Sequence, residues 1–168
     1  MREINVEEKM RLVLDLAEEG MKQGEIPIAG IVFLGNEIIS KAYTSEKKEG
    51  RYLVHAELLA MLEMDEQKYS IKDRQKMQLF TNLEPCMMCF GTAIHSFIGE
   101  VYYALESSTD GGAIWAEKSW DEYHEHITLF KLPKVYKGIL REESRELFER
   151  FLEICPEGGI HDWVKTLI

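Results

Sequence analysis

The chain has 168 residues, 45% of them apolar and 30% charged, and its thirty aspartates and glutamates outnumber twenty lysines and arginines to leave a formal charge of −10. That length suits one domain with a real core, and that balance argues against spontaneous accumulation on phosphate backbones, so a nucleic-acid substrate would need a local basic patch. The start, Met1 to Met10, lacks the apolar stretch of a signal peptide, no apolar run approaches membrane-spanning length, and three cysteines offer no disulfide framework; the expectation is a soluble cytoplasmic protein, one domain over residues 1–168 with a tail at 157–168.

Asn5 followed by Glu8 has the form of a capping box, and Val6, Met10, Val13, Leu14, Ala17 and Met21 recur at helical spacing, which predicts an amphipathic helix from residue 6 to about 22. Gly24 and Pro27 stop it. Ile28 to Leu34 is an apolar run closed by Gly35-Asn36, a two-residue hairpin turn that hands the chain to a partner strand from Glu37 to about Tyr43. Thr44 to Tyr52 is polar and charged and reads as a loop. From His55 the pattern of Leu58, Leu59 and Leu62 with Ala56 and Ala60 predicts a helix whose first turn carries His55 and Glu57.

A charged connection, Asp65 to Lys76, leads into Met77 to Thr81, a buried-strand candidate. The Cys86–Cys89 pair opens a helix running to about Phe97, Val101 to Leu105 follows as a strand, and a unit of this kind implies a parallel crossover. Residues 106–126 begin as a loop at Ser107 to Gly112 and leave room for a short helix. Val135 to Leu140 reads as a fifth strand, and Leu147, Phe148, Phe151 and Leu152 mark a helix ending before Pro156. The order builds an α/β fold, three-layer α/β/α, around a central mixed five-stranded sheet.

Chemistry concentrates in His55-Ala56-Glu57 and Cys86-Met87-Met88-Cys89. Two thiols three apart lie on one face of a helix, and one imidazole elsewhere completes a three-ligand zinc site with a fourth position open, the arrangement of catalytic rather than structural zinc. Taken alone, the two cysteines could also be a redox pair, half of a four-cysteine structural site, or two core thiols. The second Cys-x-x-Cys that a closed site needs is absent. Among the other histidines only His124 and His126 stand close together, and an i, i+2 pair points apart on a helix and to opposite faces of a strand, so it reads as surface or pocket wall.

With Pro85 ahead of the first cysteine, these residues match the His-x-Glu…Pro-Cys-x-x-Cys pattern of the zinc deaminases. Adding Thr81-Asn82-Leu83-Glu84 and Ala93-Ile94-His95-Ser96, the stretch from Glu25 to Ile154 resembles the bacterial tRNA-specific adenosine deaminases and their nucleoside and guanine deaminase relatives in the cytidine and deoxycytidylate deaminase-like superfamily. The resemblance implies one Zn2+ per chain held by His55, Cys86 and Cys89, with Glu57 as proton shuttle and not as ligand. It implies that the backbone N–H of Ala56 or Cys86 and a carbonyl near Leu83 orient the reactants, and that Thr44, Glu84 and Pro85 complete the candidate substrate contacts. A homodimer with its tail reaching toward a pocket is also implied.

Three departures bear on substrate. Tyr43-Thr44-Ser45 stands where the family commonly places an Asn, Tyr52-Leu53-Val54 where the tRNA enzymes have an Asp-Pro-Thr-like turn, and Phe97 where they tend to have Arg. Lys41, Lys47, Lys48 and Arg51, and Lys131, Lys134 and Lys137, read as solvated surface rather than a phosphate-binding patch. The expectation is a hydrolase that releases ammonia from a small amino-substituted nucleobase or nucleoside, a purine favoured, with the wobble adenosine of tRNA as the alternative substrate. A non-catalytic scaffold kept folded by zinc is the alternative from another class, and Glu57 argues against it, because a structural site needs no shuttle carboxylate.

Overall fold

Residues 4–168 are described by a computed structural model. At its start the Asn5 carboxamide oxygen accepts the Glu8 N–H at 2.9 Å while a Glu8 carboxylate oxygen accepts the Asn5 N–H at 2.9 Å, so the capping box closes and launches α1, Val6–Lys22. The helix buries Met10, Val13, Leu16, Ala17 and Met21 along one stripe. The hairpin follows as β1, Ala29–Leu34, and β2, Glu37–Tyr43, turning at Gly35 with φ +61°.

Between β2 and the next long helix the polar segment is not all loop. Glu46–Glu49 forms one helical turn, α2, because the buried Glu25 carboxylate accepts the backbone N–H groups of Lys47 at 3.0 Å and Lys48 at 2.7 Å, donors that a helix start otherwise leaves unpaired. Helix α3 is Ala56–Glu66, and the charged connection after it holds a second single turn, α4, Ile71–Arg74, capped by Ser70. Then come β3, Met77–Leu83, α5, Met87–His95, β4, Glu100–Leu105, and α6, Gly112–Tyr123, ending in a 3₁₀ turn at His124–His126.

The fifth strand, β5, covers only Lys134–Lys137, shorter than the apolar run suggests, since Gly138 at φ +79° turns the chain out of the sheet. Helix α7, Arg141–Ile154, follows, and residues expected to form a plain tail coil into α8, Gly159–Lys165, pinned by buried Val164 and by Leu167.

The sheet runs β2-β1-β3-β4-β5, with β1 antiparallel to both neighbours and β3, β4 and β5 parallel. One face packs on α1 and α7 through a core that includes Met10, Phe33, Phe80, Leu147 and Phe148. The other packs on α3, α5 and α6 through Met61, Met64, Leu79, Phe90 and Ala113. The expected three-layer α/β/α arrangement is therefore present. On the first face Phe80, Tyr102 and Tyr136 are direct cross-strand partners and stack with ring centroids 4.3 and 4.5 Å apart. Among the described residues no helix is long and apolar enough to cross a membrane.

Candidate metal centre and catalytic cavity

Two helix starts face each other at one end of the sheet. His55 is the N-cap of α3 and Cys86 the N-cap of α5, and neither side chain makes the usual capping bond, which leaves both to point at a common centre. Cys89 sits one turn into α5 and joins them. His55 Nδ1 lies 3.6 Å from Cys86 Sγ and 3.7 Å from Cys89 Sγ, and all three atoms fall within 4.8 Å of one another. Zinc with bonds of about 2.3 Å to sulfur and about 2.0–2.1 Å to nitrogen gives a tetrahedral N···S edge of about 3.6 Å. The donor set and its spacing fit that ion.

The three groups titrate as one coupled cluster. The Cys86 thiol is pushed down to about 4, first by the hydrogen bond from Cys89 and then by that with His55. His55 is lifted to about 9, chiefly by the same bond to Cys86, and Cys89 is pushed well up as the donor to Cys86 and by burial. A cation bound here would meet the Cys86 thiolate directly and would have to displace the protons held by His55 and Cys89.

Glu57, two residues beyond His55, is 3% exposed, and burial pushes its carboxyl up to about 7. Its Oε2 lies 3.7 Å from Cys89 Sγ, so the carboxyl stands beside the centre. Gly30 of β1 makes room for this turn, since a Cβ there would lie 3.0 Å from the Glu57 Cα. The opposite ring nitrogen of His55, Nε2, meets Glu46 Oε1 of α2 at 3.1 Å.

Above the centre opens a cavity of about 280 Å³, toward the small end of ligand sites. His55, Ala56, Glu57 and Cys86 form one part of its wall, with Thr44, Leu83 and Glu84 beside them. Ile26, Ile28, Ile160 and Trp163 supply apolar surface, so α8 contributes to the wall. Among the described residues that line it, none is Lys or Arg, while Glu46, Glu57, Glu84 and Asp110 all do.

The sequence-predicted contacts divide by what their polar atoms already do. The Thr44 hydroxyl donates to the Val54 carbonyl at 3.3 Å, and the Leu83 carbonyl accepts the Thr81 hydroxyl at 3.1 Å. The buried Glu84 carboxylate accepts the N–H groups of Ser107 at 3.1 Å and Ile114 at 3.3 Å and lies where a side chain on Gly111 would go, so it braces the loop before α6. Pro85 is off the cavity wall and its carbonyl accepts the Gly112 N–H at 2.8 Å. Phe97 packs against Phe130 and does not line the cavity. His95 also packs on Phe130, while His124 is exposed at the end of α6.

Glu46 and Asp110 carried no signal in the sequence, whereas Ile160 and Trp163 belong to the 157–168 tail expected to reach toward a pocket, and both line the cavity. Asn82 had a place in the motif but no role; its carboxamide accepts the Ala29 N–H at 2.8 Å and donates to the Pro27 carbonyl at 2.8 Å, fixing the strand entry that carries Ile26 and Ile28 to the cavity.

Residues 4–105 match the family described as the cytidine and deoxycytidylate deaminase zinc-binding region. The tRNA-specific adenosine deaminase of Rickettsia bellii is 30% identical over 146 residues, which is 86% of this chain and 97% of that protein. The tRNA-specific adenosine deaminase of Aquifex aeolicus is 30% identical over 113 residues, 67% of this chain and 74% of its own. Among solved structures, the guanine deaminase of Nitrosomonas europaea superposes with a TM-score of 0.72 at 22% identity, covering 90% of this chain and 86% of that one. A tRNA:A34 deaminase superposes with a TM-score of 0.67 at 24% identity, covering 82% and 96%. At those identities the two structures speak for the fold.

Proposed function

Because the chain belongs to the cytidine and deoxycytidylate deaminase family, we propose that it is a zinc-dependent aminohydrolase whose substrate is a free amino-substituted nucleobase or nucleoside, a purine by preference, bound in the cavity above His55, Cys86 and Cys89. One ion per chain is held by those three side chains. When bound, zinc acidifies water so that hydroxide is available near neutral pH.

The chain's own residues do the rest. Glu57 takes one proton from the attacking water and hands it to the ring nitrogen beside the amine-bearing carbon, then takes the second from the hydroxyl now on that carbon and delivers it to the departing amine, so that the carbon–nitrogen bond breaks, a carbonyl forms and ammonia leaves. Burial suits it to the task, because it brings the Glu57 carboxyl to about 7, where it both accepts and donates. Ile26, Ile28 and Trp163 give a flat ring apolar walls and exclude water.

One observation carries the choice of substrate: a small cavity lined by Glu46, Asp110 and Trp163, among others, with no lysine or arginine in its lining. Phosphates repel such a rim, and a neutral base or nucleoside does not. A second reading, the wobble adenosine of tRNA, is favoured by the likeness to the Rickettsia bellii enzyme along nearly its whole length. Ammonia release from a panel of amino-purines, amino-pyrimidines and their nucleosides, beside inosine formation in an anticodon stem-loop, separates the two. Turnover of a free base or nucleoside with little salt dependence is expected; deamination of the stem-loop alone, falling steeply with salt, would hand the assignment to tRNA. No turnover of either by zinc-loaded protein would leave the scaffold.

Assembly as a homodimer is part of the proposal. Met87 at the start of α5 is 58% exposed and Trp115 on α6 is 58% exposed, and the backbone of Gly112 at the start of α6 lies against that of Cys86 and Met87. Light scattering at micromolar protein tests it, with a monomer as the refuting result.

A further inference from the structure

His55 is gripped from both sides. Its Nδ1 faces two sulfurs and its Nε2 lies 3.1 Å from Glu46 Oε1, in a wall where that carboxylate is about a quarter exposed. An imidazole that binds a metal through one nitrogen must carry its proton on the other, and a carboxylate accepting that proton fixes both the tautomer and the ring's direction. Glu46 is in turn held. Its helix is a single turn, too short to persist alone, and the buried Glu25 carboxylate takes the N–H groups of Lys47 and Lys48 that follow it. The chain entering the turn is tied as well, with Ser45 N–H donating to Val54 O at 3.2 Å and Thr44 N–H to Ile28 O at 3.0 Å.

We propose that Glu46 is a positioning residue for the metal centre, holding His55 with Nδ1 toward the ion, and that Glu25 is the anchor that keeps Glu46 in place. The inference rests on the zinc reading of His55, Cys86 and Cys89, and assigns a task to a turn that family likeness and residue spacing pass over. Glu46 touches no reacting atom; it acts through His55.

The test uses the full chain with Glu46→Ala, Glu46→Gln, Glu25→Gln and, as control, Cys86→Ala. Three quantities are read: the zinc dissociation constant by chelator competition, the melting temperature of metal-free protein, and the slowly exchanging Nε2 proton of His55 in histidine-labelled zinc protein. Loss of a carboxylate partner to a ligating imidazole typically weakens metal binding by about 10–100-fold, and that loss is expected for Glu46→Ala. The Nε2 proton should then exchange freely while the metal-free melting temperature stays put. Glu46→Gln, which still accepts a hydrogen bond without charge, should fall between wild type and Glu46→Ala, and Glu25→Gln should weaken zinc in the same direction. Zinc affinity within about twofold of wild type in Glu46→Ala, well short of that range, overturns the proposal, as does a Nε2 proton that stays protected. Affinity that falls only in step with metal-free melting in both Glu46 variants also overturns it, leaving a merely structural residue. If Cys86→Ala itself binds zinc normally, the reading of the centre fails instead, and the two failures are told apart.

Discussion

Gly30 of β1 runs directly beneath Glu57, and a methyl group at Gly30 would lie 3.0 Å from the Glu57 Cα and 3.2 Å from its N. Contacts that tight force the neighbour to give by a few tenths of an ångström, and the neighbour is backbone at the first turn of α3. Gly30→Ala should therefore shift the carboxyl from its working position. Small displacements of a reacting group are costly, and kcat/KM should fall roughly tenfold or more. Overpacking should cost roughly 1–3 kcal/mol of stability. Steady-state kinetics beside thermal melting checks both, and unchanged turnover would show that Glu57 does not need this close seat.

Glu57→Gln keeps the shape of the side chain and removes its proton-transfer capacity. Zinc content should stay at the wild-type level while kcat falls by roughly 10²–10⁴, the usual worth of general acid–base help. Cys86→Ala with Cys89→Ala should lose the ion and melt lower, because metal binding here is partly folding energy. Elemental analysis decides: metal lost from Glu57→Gln would make the carboxylate a ligand, and full zinc in the double cysteine variant would dissolve the assignment.

Asn82 is 0% exposed and satisfies the Ala29 N–H and the Pro27 carbonyl, while the Ser144 hydroxyl of α7 donates to the Asn82 carbonyl at 2.7 Å. Asn82→Ala strands two buried backbone groups. At about 1–3 kcal/mol for each group left unpaired, the loss should be roughly 2–6 kcal/mol in chemical denaturation. A change below the lower figure would mean that water or a relaxed backbone takes the place of the carboxamide.

The Arg141 guanidinium, at the start of α7, grips both oxygens of Glu106, with Nε at 3.0 and 2.9 Å, and holds that carboxyl below the usual carboxylate range. The lowered value means that the unfolded chain takes up the proton first as pH falls. The stability the pair contributes is thus present above the unfolded value near 4.5 and disappears as pH drops through the lower folded value. Melting curves of wild type and Glu106→Gln should separate at neutral pH and converge in acid. The separation should be small, since both side chains are well exposed. A gap that persists in acid would assign the effect to packing instead.

What the sequence disclosed, and what it withheld, follows from the range of the forces involved. The grouping of His55 with Cys86 and Cys89 was legible because metal chemistry leaves fixed spacings, although His55, expected in the first turn of α3, is its N-cap, and α1 was legible because Asn5 and Glu8 close a capping box within one turn. Strand β5 was overestimated because its end is set by a positive φ at Gly138, which an apolar run does not announce. The turn at Glu46–Glu49 exists because of Glu25, twenty-two residues away from Lys47, and no local propensity records such a partner. Helix α8 depends likewise on burying Val164 and Leu167 against a fold already made.

The ladder of Phe80, Tyr102 and Tyr136 across three strands has an optical consequence. Stacked rings held in one register give a near-ultraviolet dichroism that belongs to the sheet. All three tryptophans stand elsewhere, Trp115 and Trp120 on α6 and Trp163 on α8, the last in the cavity wall. Indole emission and tyrosine dichroism therefore watch different parts of one molecule, so loosening of α6 and α8 can be timed separately from loss of the sheet, without adding a label.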